Sequence, residues 1–359
     1  MSPSVFQFLV PLLLLVSFGA GLRAATFWPA SDSSFVYEGR FDTSNQDGPI
    51  VVWQSSRIQI DFEGESLTLK FSESTGQNFF DAEIDGRTAL VSVRSDGFVQ
   101  GNSFTGLGHG RHKLILFKRS EAAAGTVRFD GIEIDDHAEA FAPMRSRYKL
   151  AMQFFGDSIT AGACNEDGAT DQWEDRSTHN NARSYGAFTA TAFAADYRNV
   201  SVSGMGIATG WTPVKAGEIW DRVYPDPKSP RADLTTWTPN VVFVNLGEND
   251  DSFTKAKAMP FPSEEFTNGY VALVTSIRRA YPAAQIVILR GGMFGGSQSE
   301  RLRAPWEAAV ARLKKSDSRV SSFVFKHWSA QHPRVSDHRA MADELIAWLK
   351  TEDFMQDYR

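Results

Sequence analysis

The pattern of apolar and polar residues changes near residue 145 of the chain. From about residue 33 to residue 140, apolar and polar positions alternate, as in RIQIDF (57–62) and SLTLKF (66–71). A period of two is typical of strands that bury one face. Because the strands are short and turn signals such as Asp85-Gly86 separate them, this part is predicted to be an antiparallel β-sandwich of jelly-roll or similar kind.

After about residue 148, continuous apolar segments alternate with amphipathic ones. Apolar strands that alternate with helices form a parallel sheet covered on both faces. This part is therefore predicted to be a three-layer, doubly wound α/β domain. The predicted strands are LAMQFF, NVSVS, NVVFVNLG, QIVILR and SSFVF, and the predicted helices are 182–195, 263–280, 298–316 and 336–350. A capping box is predicted at Ser297 and Glu300, and the last helix is predicted to start at Ser336-Asp337.

The N-terminus predicts a secreted protein. Residues 1–24 contain a short apolar segment followed by small residues, as in a signal peptide. The n-region ahead of the apolar segment carries no Lys or Arg, so a single-span membrane anchor stays the alternative. The predicted organisation is a signal peptide (1–24), a β-sandwich (33–140) and an α/β domain (148–352).

Composition excludes several classes of function. The net charge of −6 over 359 residues argues against nucleic acid or an anionic membrane as partner. The single cysteine, Cys164, excludes an internal disulfide and is interpreted as a small buried residue. CxxC and HExxH motifs are absent from the sequence, so we expect neither a zinc site nor a cofactor.

Four loops after predicted strands carry residues suited to ester chemistry. Ser158 follows the first strand in GDSITAG, Gly204 the second in SGMG, and Asn249 the third in GEND. His332 follows the fifth strand in a segment that ends at the last helix. Because the carboxyl ends of parallel strands share one edge of a sheet, we expect these residues to meet there.

Two interpretations of Ser158 are open from its local sequence. Serine next to Asp157 at a strand–helix junction can be a plain helix N-cap. It can instead be a nucleophile, if a histidine within reach takes its proton. The N–H groups of Ser158 and Gly204 and the amide of Asn249 could then donate to an oxyanion. Each feature is common alone, but the four in order favour a nucleophile.

The same motifs resemble the four blocks of the SGNH (GDSL-type) hydrolases. In that family the blocks contribute Ser, Gly, Asn and His, which match Ser158, Gly204, Asn249 and His332 here. VYEGRFD near residue 40 and the segment 112–135 resemble the N-terminal jelly roll of carbohydrate esterase family 2. The resemblance implies a metal-free enzyme that removes O-acetyl groups from xylan and related plant polysaccharides.

The sequence departs from that family before its last block. Many SGNH hydrolases have Asp three residues before the histidine, but Ser329 stands here, and no carboxylate occurs between Lys326 and His332. The resemblance to some family 2 esterases implies a Ser–His dyad whose imidazole is oriented by a backbone carbonyl. The acidic segment 163–181 is interpreted as a solvated lid.

Three other histidines and two tryptophans occur in or near the same loops. His327 is the main rival for the base, His338 is expected to be solvated, and His179 could line the cleft. Trp211 and Trp328 are candidates for stacking on a sugar ring, although a core role is equally compatible with their positions.

The sequence as a whole predicts a secreted, monomeric carbohydrate O-acetyl esterase that acts on an acetylated plant polysaccharide. We expect no nucleic-acid partner, and no membrane partner once the signal peptide is removed. Two alternatives stay open: an esterase or lipase for other acyl groups, and a polysaccharide-binding protein without activity.

Overall fold

The computed structural model describes residues 25–135, 139–144 and 148–358. The predicted signal peptide lies outside these residues. Among the helices of the described ranges, none is long and apolar enough to cross a membrane.

The first part of the chain forms two antiparallel sheets packed face to face, which confirms the predicted sandwich. One sheet has the order β10-β6-β12-β4-β3, with β1 on β12, and the other has β13-β5-β11-β7-β8-β9, with β2 on β5. The strands are β1 (Thr26–Pro29), β2 (Val36–Glu38), β3 (Phe41–Asp42), β4 (Ile50–Val51), β5 (Arg57–Glu63), β6 (Ser66–Ser72), β7 (Gln77–Ile84), β8 (Arg87–Arg94), β9 (Val99–Gln100), β10 (Ser103–Thr105), β11 (Arg111–Lys118), β12 (Val127–Ile134) and β13 (Glu139–Phe141).

The alternation in the sequence explains which face of each strand is buried. In β5, Ile58, Ile60 and Phe62 are at most 1% exposed, whereas the residues between them are half-buried. Because successive side chains of a strand point to opposite faces, these three enter the core between the sheets.

The second part of the chain is a parallel sheet with helices, as predicted. The strand order is β15-β14-β16-β17-β18, and every neighbouring pair in it is parallel. The strands are β14 (Ala151–Gly156), β15 (Asp196–Ser201), β16 (Val241–Asn245), β17 (Gln285–Met293) and β18 (Val320–Ser329). Phe154 and Phe243, on adjacent central strands, are fully buried and stack with their ring centroids 4.4 Å apart.

The helices follow the predicted order, with corrections at their ends. They are α1 (Ser158–Ala161), α2 (Tyr185–Ala192), α3 (Ala216–Ile219), α4 (Glu248–Ala256), α5 (Ser263–Ala280), α6 (Phe294–Gln298), α7 (Glu300–Ser316) and α8 (Val335–Leu349). The predicted capping box at Ser297 is wrong, because α7 begins one residue after Ser299 and Ser297 Oγ instead accepts the N–H of Gly292 at 3.3 Å. At α8, Asp337 accepts the N–H of Arg334, so that helix begins at Val335.

The second predicted strand is also displaced. The apolar pattern predicts it at 199–203, but it runs over Asp196–Ser201 and starts at a charged residue that this pattern does not mark. Asp196 is tolerated in the sheet because its carboxylate is paired with Arg57 of the sandwich and accepts the indole N–H of Trp237 at 2.7 Å.

One hydrophobic cluster crosses the boundary between the two parts, beside the sandwich's own core. Val52, Trp53 and Ala122 of the sandwich belong to the same cluster as residues of β15, β16 and α5. At this seam Gln54 donates to Asn199 Oδ1 and to the carbonyl of Ser201, both at 2.9 Å. The sandwich therefore packs directly against the side of the α/β sheet where β15 ends.

Candidate active site

Ser158 lies at the end of β14, at the first position of the short helix α1. The N-cap of this helix is Asp157, whose Oδ1 accepts the N–H of Ile159 at 3.1 Å. Capping is therefore done by Asp157 and not by Ser158, which leaves the Ser158 hydroxyl free of that role. As the first residue of a helix, Ser158 also presents an N–H that has no partner within the helix.

Gly204 lies in the loop after β15 and depends on glycine geometry. Its φ is +80°, and a Cβ there would lie 2.9 Å from Thr212 Cγ2. The neighbouring backbone is held by Asp250, whose carboxylate accepts the N–H groups of residues 207–209 at 2.7 to 3.0 Å. Burial raises the pKa of Asp250 to about 6 against the effect of these bonds. Asp250 thus positions the loop that carries Gly204.

Asn249 lies in the first turn of α4, directly after β16. Its Nδ2 donates to the carbonyl of Met205 at 3.0 Å and to Asp157 Oδ2 at 3.2 Å. These bonds connect the third strand-end loop to the first two. Burial, together with the charge of Glu248, raises the pKa of Asp157 well above its usual range.

Glu248, next to Asn249, connects the loop after β16 to α6, the short helix that directly follows β17. Its carboxylate accepts the N–H of Gly295 at 3.2 Å and that of Gly296 at 2.7 Å. The loops after β14, β15, β16 and β17 are consequently tied together by carboxylate–amide and amide–carbonyl bonds.

A cavity of about 540 Å³ opens at this edge of the sheet. Ser158, Gly204, Asn249 and His332 all line it. The structure therefore brings the four sequence-predicted residues to one place, as expected for loops at the carboxyl ends of parallel strands.

His332 is held by a carboxylate from a distant part of the chain. Its Nδ1 lies 2.7 Å from Asp171 Oδ2, and Asp171 belongs to the segment 163–181 after α1. A carboxylate can only accept, so Nδ1 carries the proton and Nε2 keeps its lone pair. That is the tautomer that a general base for a serine hydroxyl requires.

Arg334 fixes Asp171 in turn. Its Nη1 donates to Asp171 Oδ1 at 2.8 Å and to the carbonyls of His332 and Cys164 at 2.8 and 3.0 Å. Burial opposes ionisation of Asp171, but the hydrogen bonds from His332 and Arg334 outweigh it and lower the pKa of this carboxyl to about 2. Asp171 is therefore a carboxylate at any pH near neutrality.

The prediction of a dyad whose imidazole is oriented by a backbone carbonyl is wrong. The Asp missing at position 329 is replaced in space by Asp171. Residues 163–181, interpreted from the sequence as a solvated acidic lid, supply the partner of His332, while residues 168–170 and 174–175 of the segment are exposed. We call it the long loop.

Trp173, also in the long loop, covers the imidazole. Its ring stacks on His332 with centroids 5.5 Å apart and planes 28° apart. The guanidinium of Arg176 lies 4.1 Å from the Trp173 ring centroid on a cation–π contact. Both Trp173 and Arg176 line the cavity.

The sandwich anchors the long loop through Arg119, which follows β11. Its guanidinium donates to Asp81 at 3.0 Å and to the carbonyl of Ser177 at 2.9 Å, and it is paired with Glu166. Ser177 and Glu166 both belong to the long loop. One side chain thus connects both parts of the molecule to the loop that orients His332.

The other histidines have separate environments. His327 lies within β18, not in a loop, and its Nε2 is 2.8 Å from Asp337 Oδ1. His338 is fully buried, which corrects its expected solvation: Nδ1 accepts the N–H of Tyr185, and burial lowers its pKa to about 3. His179 is buried in the long loop, with Nε2 3.4 Å from Cys164 Sγ.

The two candidate sugar-stacking residues differ in position. Trp211 lines the cavity, is 53% exposed, and donates from Nε1 to Ser252 Oγ at 3.0 Å. Trp328 lies in β18, where its ring packs against Phe294 of α6. It is not among the described residues that line the cavity. Substrate contact by either residue stays a prediction.

Three potential metal ligands lie close together in the site. Cys164, Asp171 and His332 each offer one ligand atom within 4.8 Å of the others. Asp171 and His332 already form the hydrogen bond described above, so we assign these two residues to orientation of the imidazole.

Sequence reasoning missed Asp171, Glu121 and Arg176. Asp171 is one of several carboxylates in an irregular segment, and it lies 161 positions from His332 along the chain. Glu121 lines the cavity but belongs to the sandwich, and no sequence pattern connects that part of the chain with the cavity. Spacing along the chain carried no signal for these residues.

Comparison with family models supports the two-part organisation. Residues 37–143 match the carbohydrate esterase 2 N-terminal model, and residues 154–346 match the GDSL-like lipase/acylhydrolase family.

Comparison with known proteins gives a consistent picture. The chain is 31% identical to the cellulase/esterase CelE of Acetivibrio thermocellus across 88% of its own length, but the match spans 39% of that protein. It is 28% identical to an acetylxylan esterase/glucomannan deacetylase of Cellvibrio japonicus, covering 83% of this chain and 84% of that protein.

Among solved structures, a family two carbohydrate esterase from Clostridium thermocellum in complex with cellohexaose matches with a TM-score of 0.78. The two are 28% identical, and the match covers 88% of this chain and 98% of that one. A family two carbohydrate esterase from Cellvibrio japonicus has the same fold at a TM-score of 0.79 and 21% identity, covering 92% of this chain and 98% of that one.

Proposed function

Because this chain belongs to the GDSL-like lipase/acylhydrolase family of carboxylic-ester hydrolases and carries a carbohydrate esterase 2 N-terminal domain, we propose that it removes acetyl groups from polysaccharide. The observation that carries the proposal is the pairing of His332 with Asp171 at a cavity that Ser158 also lines.

In the proposed reaction, His332 Nε2 takes the proton of the Ser158 hydroxyl while Oγ attacks the acetyl carbonyl. Asp171 is the positioning residue that holds Nδ1–H and stabilises the imidazolium that forms. The imidazolium then gives its proton to the departing sugar alkoxide. A water molecule then gives a proton to His332 and attacks the acetyl–enzyme. The bond to Ser158 Oγ breaks, His332 returns the proton to that oxygen, and acetate leaves.

The tetrahedral intermediates place a negative charge on the former carbonyl oxygen. We assign the N–H groups of Ser158 and Gly204 and the Nδ2 of Asn249 to this oxyanion. Asn249 Nδ2 donates two hydrogen bonds in this structure. The one to Asp157 Oδ2, at 3.2 Å, is longer than the one to the carbonyl of Met205, at 3.0 Å. The oxyanion therefore competes with the weaker of the two contacts.

The sugar ester is the substrate class that the relatives support. Proteins similar to this chain are named as acetylxylan esterases and a cellulase/esterase, and one was solved with cellohexaose. The exposed indole of Trp211 at the cavity offers an apolar face for a pyranose ring. We propose an acetylated plant polysaccharide as substrate and, from the N-terminal segment, secretion of a monomeric enzyme.

Acetate release from acetylated xylan and from 4-nitrophenyl acetate tests the proposal. We expect Ser158→Ala and His332→Ala to lower kcat by about 10⁴–10⁶ on both substrates. His327→Ala is the matched control, because it removes the rival histidine, and it should keep more than half of the activity. Normal rates in Ser158→Ala or His332→Ala would reject the mechanism.

The acyl group is tested separately with esters from acetyl to octanoyl. We expect the highest kcat/KM for acetyl. A preference for chains longer than butyryl would favour a lipase-like enzyme, and binding of xylan without release of acetate would favour a binding protein.

A further inference from the structure

One wall of the cavity comes from the sandwich. Glu121 and Ala123, in the turn between β11 and β12, line the cavity together with residues of the α/β domain. Glu121 is 2% exposed, and its Oε2 accepts the N–H of Ser203 at 2.8 Å. Its Oε1 lies 3.6 Å from Nη1 of Arg176 in the long loop. Two separate segments of the chain, the Ser203 loop and the long loop, therefore place polar groups beside Glu121.

Two of these groups have unused donors. Ser203 is 5% exposed, and its Oγ is buried without a hydrogen-bond partner among the described residues. Arg176 Nη1 is likewise buried and lacks a hydrogen-bond partner within the described part of the chain. Buried polar groups in native proteins are nearly always paired. Because both residues line the cavity, a bound ligand can supply the missing partners.

The charges at this position favour a neutral ligand. Arg176 and Glu121 have opposite charges and face each other, so their local sum is close to zero. Glu248 also lines the cavity and places a second carboxyl group beside this position. A ligand carboxylate or phosphate would meet Glu121 and Glu248, whereas a hydroxyl group can donate to Glu121 and accept from Ser203 or Arg176.

We propose that Glu121, Arg176 and Ser203 form a binding site for the free hydroxyl groups of the acetylated sugar or its neighbour in the chain. We call these three residues the hydroxyl subsite. The proposal rests on the proposed function, and it makes the sandwich part of substrate recognition. Ser203 precedes Gly204, so a sugar held here would be fixed next to the assigned oxyanion donor.

A pair of substrates with the same acyl group tests the subsite. Acetylated xylo-oligosaccharides carry sugar hydroxyls, and 4-nitrophenyl acetate carries none. We expect Ser203→Ala and Glu121→Gln to lower kcat/KM on the oligosaccharide about five- to tenfold, the effect of one lost hydrogen bond. On 4-nitrophenyl acetate the same variants should stay within twofold of wild type. The glutamine can still accept the Ser203 N–H, so the loop is retained.

Ser92→Ala is the matched control, because Ser92 Oγ is also buried without a partner among the described residues but does not line the cavity. It should leave both substrates unaffected. Equal losses on the two substrates would overturn the proposal in favour of a purely structural role at the Gly204 loop. Unchanged kinetics on both substrates would overturn it as well.

Binding without turnover separates failure of the subsite from failure of the proposed function. Unacetylated xylotetraose is titrated calorimetrically into the Ser158→Ala protein, alone and combined with Glu121→Gln or Ser203→Ala. Weakening by about five- to tenfold in both double variants supports the subsite even if sugar acetates are not hydrolysed. Absence of binding to Ser158→Ala, equal affinity in all three proteins, or tighter binding of a glucuronate-bearing oligosaccharide would overturn the proposal.

Discussion

The short loops at the strand ends and the long loop build the same cavity in different ways. The short loops carry Ser158, Gly204 and Asn249 within a few residues of a buried strand, so the sheet itself fixes their positions. The long loop contains only brief helical turns and is held by side-chain bonds to Arg334 and Arg119. The proposed nucleophile and the assigned oxyanion donors thus depend on strand geometry, whereas the orientation of the proposed base depends on ion pairs.

Replacing Asp171 tests the long loop most directly. We expect Asp171→Asn to lower kcat by about 10²–10⁴ on both acetyl esters, because the amide can favour the wrong imidazole tautomer. Glu174→Gln is the control, an exposed acidic residue of the same loop. Thermal unfolding of both variants checks that the fold is retained. Activity above half of wild type in Asp171→Asn would restore the dyad.

Replacing Asn249 tests the short loops. We expect Asn249→Ala to lower kcat by about 10²–10³, the usual effect of losing one oxyanion donor. Steady-state kinetics on 4-nitrophenyl acetate measures it, with the exposed Asn268→Ala as control. A rise in KM at unchanged kcat would instead assign Asn249 to ground-state binding.

Acidification should lower the stability of the protein through a histidine of the long loop. Burial, and then the charges of Arg176 and His332, lower the pKa of His179 in this loop to about 3. Between this value and about 6.5, the unfolded chain binds the proton that the folded chain excludes. The free energy of unfolding is therefore fully retained above pH 6.5 and falls by at most about 1.4 kcal/mol per pH unit below it from this residue.

Urea unfolding from pH 7.5 to pH 4.5 measures that slope. His179→Gln should flatten it by up to one proton, and the exposed His109→Gln should not. If the pH dependence of the free energy of unfolding is the same in His179→Gln as in wild type, His179 is not the group that excludes the proton.

Replacing the two candidate sugar-stacking tryptophans should give the smallest of these effects. We expect Trp211→Ala, at the cavity, to raise KM for acetylated xylo-oligosaccharides about five- to tenfold through lost stacking. Trp328→Ala, whose ring packs on Phe294, should change it less than twofold. A larger effect at Trp328 would place the sugar over β18 instead.

The sequence predicts the positions of residues at strand ends well. It predicts poorly which residues are brought together by contacts between side chains. Apolar segments mark strands, and strand ends in a parallel sheet converge, so the meeting of Ser158, Gly204, Asn249 and His332 followed from periodicity and topology. Asp171 could not be found in this way, because no period or spacing selects one carboxylate of an irregular acidic segment.

His338 shows the same limit from the opposite side. A polar residue in the first turn of a helix is usually exposed, but α8 packs this one against Tyr185, where it accepts a backbone N–H. Burial of a single polar side chain depends on the tertiary neighbour, which the local sequence does not contain.

The contacts of Arg119 bear on how such enzymes can be recombined. If the hydrolase domain were fused to a different sandwich, Glu166 and the carbonyl of Ser177 would lose their contacts with Arg119. The long loop, which carries Asp171, would then be held less firmly. The hydrolase domain and its sandwich should therefore be transferred together. Exchange at the junction near residue 145 would need an arginine at the matching turn of the new sandwich, which restricts the domains with which this hydrolase can be fused.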